Sequence, residues 1–271
     1  MRRFSPLAQR RIRAFAANRR ALTASVAFVA VFALTLLAEL IANDRPLLLK
    51  YDGKLYFPVF AEYTEQEFGG DFPTPADYRD EFVRQNIEKN GWMIMPLVPF
   101  SFNTVDYDLT TPTPAPPSSR HWLGTDDEGR DILARILYGI RLSVVFAFLL
   151  TMVSSLIGIS AGAVQGYFGG KTDIFMQRFM EIWESLPQLF ILIIVASIFV
   201  PTFWSLLIIL MFFSWTSLTG MVRAEFLRAR NLEYVKAAKA LGVGNGRIIF
   251  RHILPNAVVT TVTFVPFILS E

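Results

Sequence analysis

The sequence predicts an all-α polytopic membrane protein, and three observations carry that expectation. Of its 271 residues 53% are hydrophobic, gathered in blocks rather than spread along the chain. The first block, residues 22–42, is uninterrupted by charge except Glu39. At about 1.5 Å per residue it spans roughly 30 Å, one hydrocarbon thickness. The third observation is the charge bias of the connecting segments, which alternates in the way that membrane insertion favours.

Residues 1–21 form a basic N-terminal segment with seven arginines and no acid before position 21. Phe4, Ala8, Ile12 and Phe15 recur at helical spacing. The segment reads as an amphipathic helix on the inner membrane face, or else as a basic tail. The apolar run 22–42 is longer than the core of about 7–15 residues of a cleavable leader, so it is expected to be a retained first transmembrane helix. The preceding arginines place the N-terminus in the cytoplasm.

Residues 43–141 then form an irregular outer loop and an interfacial helix. The loop is rich in Pro, Gly, Asp and aromatics, with a hairpin expected near 51–60, and is either a small ordered cap or a docking surface. Thr125 and Glu128 have capping-box spacing, which starts a helix at 125. Ile132, Leu133, Ile136, Leu137 and Ile140 line one face of it. The acids Asp126, Asp127, Glu128 and Asp131 fit a helix N-terminus better than a metal site.

The core, residues 142–271, is expected to hold further transmembrane helices near 142–164, 174–200, 203–227 and 253–271. Gly158, Ala161 and Gly162 give the second helix a small-residue face, and residues 165–173 read as a turn. In the third, the apolar part is too short to span unless it includes 174–185. That puts Arg178, Glu181 and Glu184 within a membrane helix. A charge at the bilayer centre costs about 2.5–3.5 kcal/mol, so such residues face protein or water. Two readings stand: a lining of the translocation path, or an Arg178–Glu181 pair at headgroup depth. Pro187 is expected to kink this helix.

Residues 228–252 form a basic loop, expected to be cytoplasmic. Ala237, Ala238 and Ala240 favour helix, and Leu232, Val235 and Leu241 supply an apolar edge. Gly242 stops the helix, residues 244–246 make a turn, and 248–254 begin a second helical piece. A short helix with a small-residue face is suited to pressing into a partner's groove; an ordinary inter-helix loop is the alternative.

The chain has no Cys and two His, His121 and His252. Disulfides, thiol catalysis and Cys-based metal sites are excluded, a His metal site is not expected, and no catalytic residue stands out. No G-x-x-x-x-G-K-[ST] segment is present, so any ATP would be bound by a partner.

These residues resemble a known family. Residues 121–126 (H-W-L-G-T-D), 128–131 (E-G-R-D), 135–139 (R-I-L-Y-G) and 166–170 (G-Y-F-G-G) are similar to blocks in dipeptide and oligopeptide ABC-transporter permeases. The loop resembles the family's E-A-A-x3-G-x9-I-x-L-P motif through Lys236, Ala237, Ala238, Gly242, His252, Leu254 and Pro255. Lys236 replaces the Glu and His252 the Ile; Glu233 is the nearest acid that can substitute. Residues 41–58, 68–70 and 90–92 look like the enlarged outer loop of the second permease subunit of microcin C-type peptide transporters.

The resemblance implies a type I ABC importer permease fold. Five of six transmembrane helices are then expected, with a C-terminal truncation. It implies a multi-pass permease of the bacterial inner membrane that imports peptides and itself carries no cofactor. Its partners would be a second homologous permease subunit, two ATP-binding subunits, a periplasmic peptide-binding protein and lipid, with no nucleic acid. ATPase coupling would fall to Glu233, Lys236, Ala237, Ala238, Gly242, Leu254 and Pro255. A polytopic membrane enzyme or a scaffold without transport role are the competing classes.

Overall fold

A computed structural model describes residues 6–270. The chain divides into two compact units, residues 1–143 and 144–271.

The first unit opens with α1 (Pro6–Ala17) and α2 (Arg19–Leu36). They are separated by Asn18, whose side chain accepts from the Ala21 N–H at 3.2 Å and so caps α2. Within α1, Ile12 and Phe15 are exposed beside Arg10 and Arg13. Arg2, Arg3 and Phe4 lie outside the described residues. Only 6% of α2 is buried, although it is apolar and 18 residues long. An apolar surface left open on nearly all sides is matched by hydrocarbon, not water. The short helix α3 (Ala38–Ile41) continues the first apolar run to its end.

Glu39 sits in α3 and is fully engaged. It accepts from the Tyr138 hydroxyl at 2.6 Å, from Arg141 at 3.2 Å and from Asn43 Nδ2 at 3.3 Å. Ala38, Ala42, Val98, Phe100, Ala134 and Tyr138 pack together around this anchor.

The outer segment has more regular structure than its composition announces. Strands β1 (Leu48–Tyr51) and β2 (Lys54–Tyr56) form a hairpin. Its Asp52-Gly53 turn has φ of 50° and 81°, the conformation that asks for Asp-Gly. The hairpin therefore lies at 48–56 rather than 51–60. After a 3₁₀ turn, Glu65–Phe68, helix α4 (Glu81–Asn90) leads into β3 (Gly91–Ile94). The sheet order is β2-β1-β3, all antiparallel. Gly91 is required because a Cβ there would lie 1.8 Å from the Lys50 carbonyl oxygen. One sheet face packs Leu49 against Phe68, Tyr78, Val83 and Ile87. Phe68 is the hub, with edge-to-face contacts to Tyr51, Tyr56, Tyr63 and Tyr78 at centroid distances of 5.3–6.4 Å.

The helix expected from Thr125 begins later, as α5 (Ile132–Phe168). Thr125 is buried and accepts from the Ala115 N–H at 2.9 Å, which takes it out of any cap. Asp131 is the cap: its Oδ1 accepts from the Ala134 N–H at 2.8 Å. Its Oδ2 lies 2.8 Å from His121 Nδ1, while His121 Nε2 lies 3.0 Å from Asp106 Oδ2. All three side chains are essentially buried. A carboxylate on each side is fully satisfied only by a ring that donates from both nitrogens. Arg79 and Arg120 also reach Asp106, at 3.1 and 3.3 Å. The Phe100 ring lies over His121 at 4.4 Å. Burial disfavours the Asp106 charge, but the His121 bond, the Asp108 N–H and the two guanidiniums outweigh it and hold its carboxyl below the usual range.

In the second unit α5 is followed by α6 (Gly170–Glu184), α7 (Gln188–Ile198), α8 (Phe203–Ser214) and α9 (Thr216–Ala229). Gly158, Gly162 and Gly166 form a stripe along α5. A Cβ on each would lie 2.5, 2.6 and 2.5 Å from the carbonyl oxygens of Trp215, which precedes α9, and of Thr219 and Arg223 on it. Only glycine permits this backbone approach. The turn expected at 165–173 is thus helical through Phe168, and the chain reverses only at Gly169 and Gly170, with φ of 62° and 53°. Asp173 then holds Arg223 bidentately at 2.5 and 2.7 Å.

The third apolar segment is sharply bent at the proline where a kink was expected. α6 and α7 meet at 60°, with Pro187 at the break. After α9 come α10 (Glu233–Ala240), the short α11 (Asn245–Arg247), a π-helical turn (Ile248–Ile253), α12 (Leu254–Val262) and α13 (Val265–Ser270). Against five expected membrane helices, three among the described residues are long and apolar enough: α2, α5 and α8–α9 together. The bent α6–α7 pair makes up to four. The segment from Leu254 is instead two short helices, since Pro266 cannot donate the backbone bond that would join them.

Three predictions follow from these contacts. Gly162→Val forces a side chain into the α9 backbone and should cost about 1–3 kcal/mol, measured as a lower midpoint of thermal unfolding in detergent; an unchanged midpoint would contradict the packing. His121→Ala leaves two buried carboxylates short of a donor and should cost about 3–5 kcal/mol by the same measurement. The third concerns pH. Asp126 is disfavoured as an anion by burial, but the Arg130 N–H and guanidinium and the Glu128 N–H together lower its pKa to about 2. A lowered carboxylate stabilises above its unfolded value of about 4, and the contribution is lost as pH falls toward about 2. Hydrogen exchange at the Glu128 and Arg130 amides, corrected for intrinsic rate, should lose protection across that window; Asp126→Asn should show reduced protection at every pH.

Candidate functional site

The candidate site is built around α10. Leu232 is extended before it, and Glu233 occupies its first turn, where a carboxylate complements the helix dipole. The C-terminus is closed by a Schellman motif: the Gly242 N–H donates to the Lys239 carbonyl and the Val243 N–H to the Ala238 carbonyl, both at 3.0 Å. Gly242 takes φ 76°, the left-handed value this motif needs. The glycine stop expected from the sequence is therefore present, with Val243 folding back toward the core.

The expected apolar edge divides between two faces. Val235 and Ala238 are buried, whereas Leu232 and Leu241 are exposed. The buried pair joins Ala163 and Tyr167 of α5, Val222 and Phe226 of α9, and Ile248, Ile249 and Ile253 of the π turn in a single cluster. The outward face carries Tyr234, Ala237 and Leu241 at i, i+3, i+7 spacing, with Leu241 83% exposed. Lys236 lies beside it, paired with Glu233 at 3.0 Å, so the acid nearest the substituted position does meet Lys236. Both are exposed, and such a pair contributes at most about 1 kcal/mol.

Two contacts fix α10 from the other side. Lys239 Nζ lies 4.8 Å from the Tyr167 ring centroid, and the Tyr167 hydroxyl donates to Asn245 Oδ1 at 2.7 Å. The turn expected at 244–246 is shorter than the spacing implied: Gly244 is extended and helix begins at Asn245. Through residues 248–253 the ladder slips to π spacing, and the Leu254 N–H donates to Ile249. Pro255, which has no N–H to offer Arg251, follows immediately and accounts for the slip. Leu254 is half-buried against the cluster, while Pro255 and Gly242 are exposed. Glu233, Lys236, Ala237 and Ala238 thus share one short helix, and Gly242 closes its end. Leu254 and Pro255 begin the next helix.

Of the residues proposed to line a path, Arg178 and Glu181 form an ion pair at 2.6 Å on α6, both exposed. Glu184 closes the same helix and has no ion pair among the described residues. No group of three or more His, Asp or Glu among the described residues is arranged to hold a metal ion. The sequence reading missed the Asp106–His121–Asp131 cluster. Its one outward signal was that both acids and the His fall within 26 residues of each other in a segment rich in turns.

Comparison with known proteins gives a consistent picture. The family described as the binding-protein-dependent transport system inner membrane component matches residues 154–271. The inner membrane ABC transporter permease protein YejE of Escherichia coli is 50% identical over 271 residues, covering 100% of this chain and 80% of the relative. The peptidoglycan transport system permease protein YejE of Agrobacterium fabrum is 48% identical over 98% of this chain and 76% of its own length. The oligopeptide transport system permease protein OppC of Bacillus subtilis is 35% identical over 58% of this chain and 52% of its own length. With half its residues identical over its whole length to a permease of which it covers 80%, the chain belongs to the family of binding-protein-dependent ABC-transporter permeases.

Proposed function

We propose that the chain is one permease subunit of an ATP-driven peptide importer and that α10 receives the motion of an ATP-binding subunit. The observation that carries this is the division of α10 into two faces. Val235 and Ala238 tie it into the cluster with α5 and α9, and Tyr234, Ala237 and Leu241 lie exposed outside that cluster. A rigid helix gripped on one side and apolar on the other transmits a push as a lever. The sequence has no G-x-x-x-x-G-K-[ST] segment, so hydrolysis is assigned to two partner subunits, with a second homologous permease completing the path. The peptide cargo is supported by relatives whose names carry oligopeptide and peptidoglycan transport. Microcin C-like peptides fall in the same chemical class.

The basic segment with Arg10, Arg11 and Arg13 and the basic 223–251 region support a cytoplasmic side for the N-terminus and α10. The sheet-bearing segment then faces the periplasm and the peptide-binding protein, with Phe60, Leu97 and Tyr107 71–88% exposed on it. Arg178, Glu181 and Glu184 keep both readings, a lining of the path or an Arg178–Glu181 pair at headgroup depth, and the ion pair at 2.6 Å supports the second.

Ala237→Arg tests the coupling face. Because Ala237 is exposed, stability should change by less than about 0.5 kcal/mol. Peptide uptake by the reconstituted transporter should fall at least tenfold, with the ATP-binding subunits lost on purification. Normal uptake with the subunits retained would refute the assignment of α10, and it would leave a scaffold or membrane enzyme to be considered.

A further inference from the structure

The first unit begins with cations that have no carboxylate partner among the described residues. Arg10 and Arg13 on α1 and Arg19 and Arg20 at the start of α2 are all exposed, and none forms an ion pair. By contrast, every arginine from Arg45 to Arg228 is paired with a carboxylate. No acid precedes Glu39 in the sequence, so nothing nearby in the chain can neutralise the four. At about 3.6 residues per turn, Arg10 and Arg13 fall on the side of α1 opposite Ile12 and Phe15. Those two are 53% and 47% exposed, so a basic face and an apolar face are both open on one helix.

A second observation comes from α2. Its first turn holds Arg19 and Arg20 and no acid. The N-terminal end of a helix attracts an anion, and two guanidiniums placed there strengthen that attraction. Asn18, which joins the two helices, caps α2 with a neutral oxygen and supplies no charge. Just beyond, α2 is open apolar surface, with Val26, Phe28 and Val29 56–62% exposed. Arg19 and Arg20 therefore stand where hydrocarbon gives way to lipid phosphate.

We propose that α1 lies in the bilayer interface and that Arg10, Arg13, Arg19 and Arg20 bind the phosphate headgroups of anionic phospholipids. A phosphate diester offers acceptor oxygens to the guanidinium forks and carries the charge that the arginines and the helix end both lack. A zwitterionic headgroup brings its own ammonium, which the same arginines repel. A soluble acidic partner would answer the charge and leave Ile12 and Phe15 in water, whereas a bilayer answers both faces. The inference rests on α2 being a membrane span and not on α10 coupling, so it can fail while the peptide-import reading stands.

The test uses the assembled transporter in nanodiscs of equal parts phosphatidylcholine and phosphatidylglycerol. The chain has no cysteine, so Ala16→Cys, exposed and one turn from Ile12, takes a single fluorophore before assembly. A quenching nitroxide is carried on the acyl chain of one lipid or the other. Labelled phosphatidylglycerol should quench at least twofold more strongly than labelled phosphatidylcholine, and high salt should shrink that preference. Arg10→Gln combined with Arg13→Gln should at least halve the preference. The pair leaves five of the seven N-terminal arginines to hold the orientation of the first span, and the unfolding midpoint should not move. Equal quenching by the two lipids would remove headgroup recognition. Quenching by neither would place α1 off the bilayer, as a soluble acidic partner would. A preference unchanged in the double variant would belong to other cations. Each of these three results would overturn the proposal.

Discussion

The second unit depends on how closely α5 approaches α9. In hydrocarbon, helices gain nothing by hiding apolar side chains from water, so they associate through van der Waals contact. Gly158, Gly162 and Gly166 remove the side chains that would hold the backbones apart, and the carbonyls of Trp215, Thr219 and Arg223 occupy the space. The ion pair from Asp173 to Arg223 closes the same contact at the end of the stripe. Tyr167 and Phe226 then share the buried cluster that receives Val235 and Ala238. The position of α10 is therefore a consequence of three absent side chains on another helix. The hydrogen bonds of its own Schellman cap set only its length.

The first unit is held by different physics. Outside the membrane the small sheet has an aromatic core around Phe68, and ordinary hydrophobic burial suffices. Its connection to the start of α5 is polar. Asp131 caps the helix with one oxygen and holds His121 with the other, and His121 reaches Asp106, where Arg79 and Arg120 converge. Such a cluster is costly to bury and costly to break, so it fixes one geometry for the chain that enters the membrane helix.

The spans α2 and α8–α9, the break at Pro187 and the stop at Gly242 were legible in the sequence because each rests on local composition or on one residue's backbone chemistry. The Gly158 and Gly162 face was legible as a small-residue stripe, but its extension to Gly166 was not. The Gly-Gly pair at 169–170 drew the turn forward, and only the partner carbonyl reveals that Gly166 is helical. The capping box at Thr125 failed because Thr125 and Glu128 satisfy a pattern that tertiary contacts override: the Ala115 N–H claims the hydroxyl, while Asp131 answers to both a helix and a histidine. The division of Leu232, Val235 and Leu241 between two faces was likewise invisible, since periodicity shows that a helix has an apolar edge and not which neighbours cover it. The buried pairing of His121 joins residues 10 and 15 positions apart through loop geometry, which no local pattern encodes.

The central claim is that α10 moves as one body with α5 and α9. Pulsed electron–electron resonance between spin labels at Leu156 on α5 and Ala240 on α10, both exposed and Ala240 outside the coupling face, measures it directly in the assembled transporter. The account predicts one narrow distance distribution that is the same without nucleotide and in the ATP-trapped state. A distribution that broadens or shifts between the two states would contradict it, because α10 would then move independently of the helices that hold it.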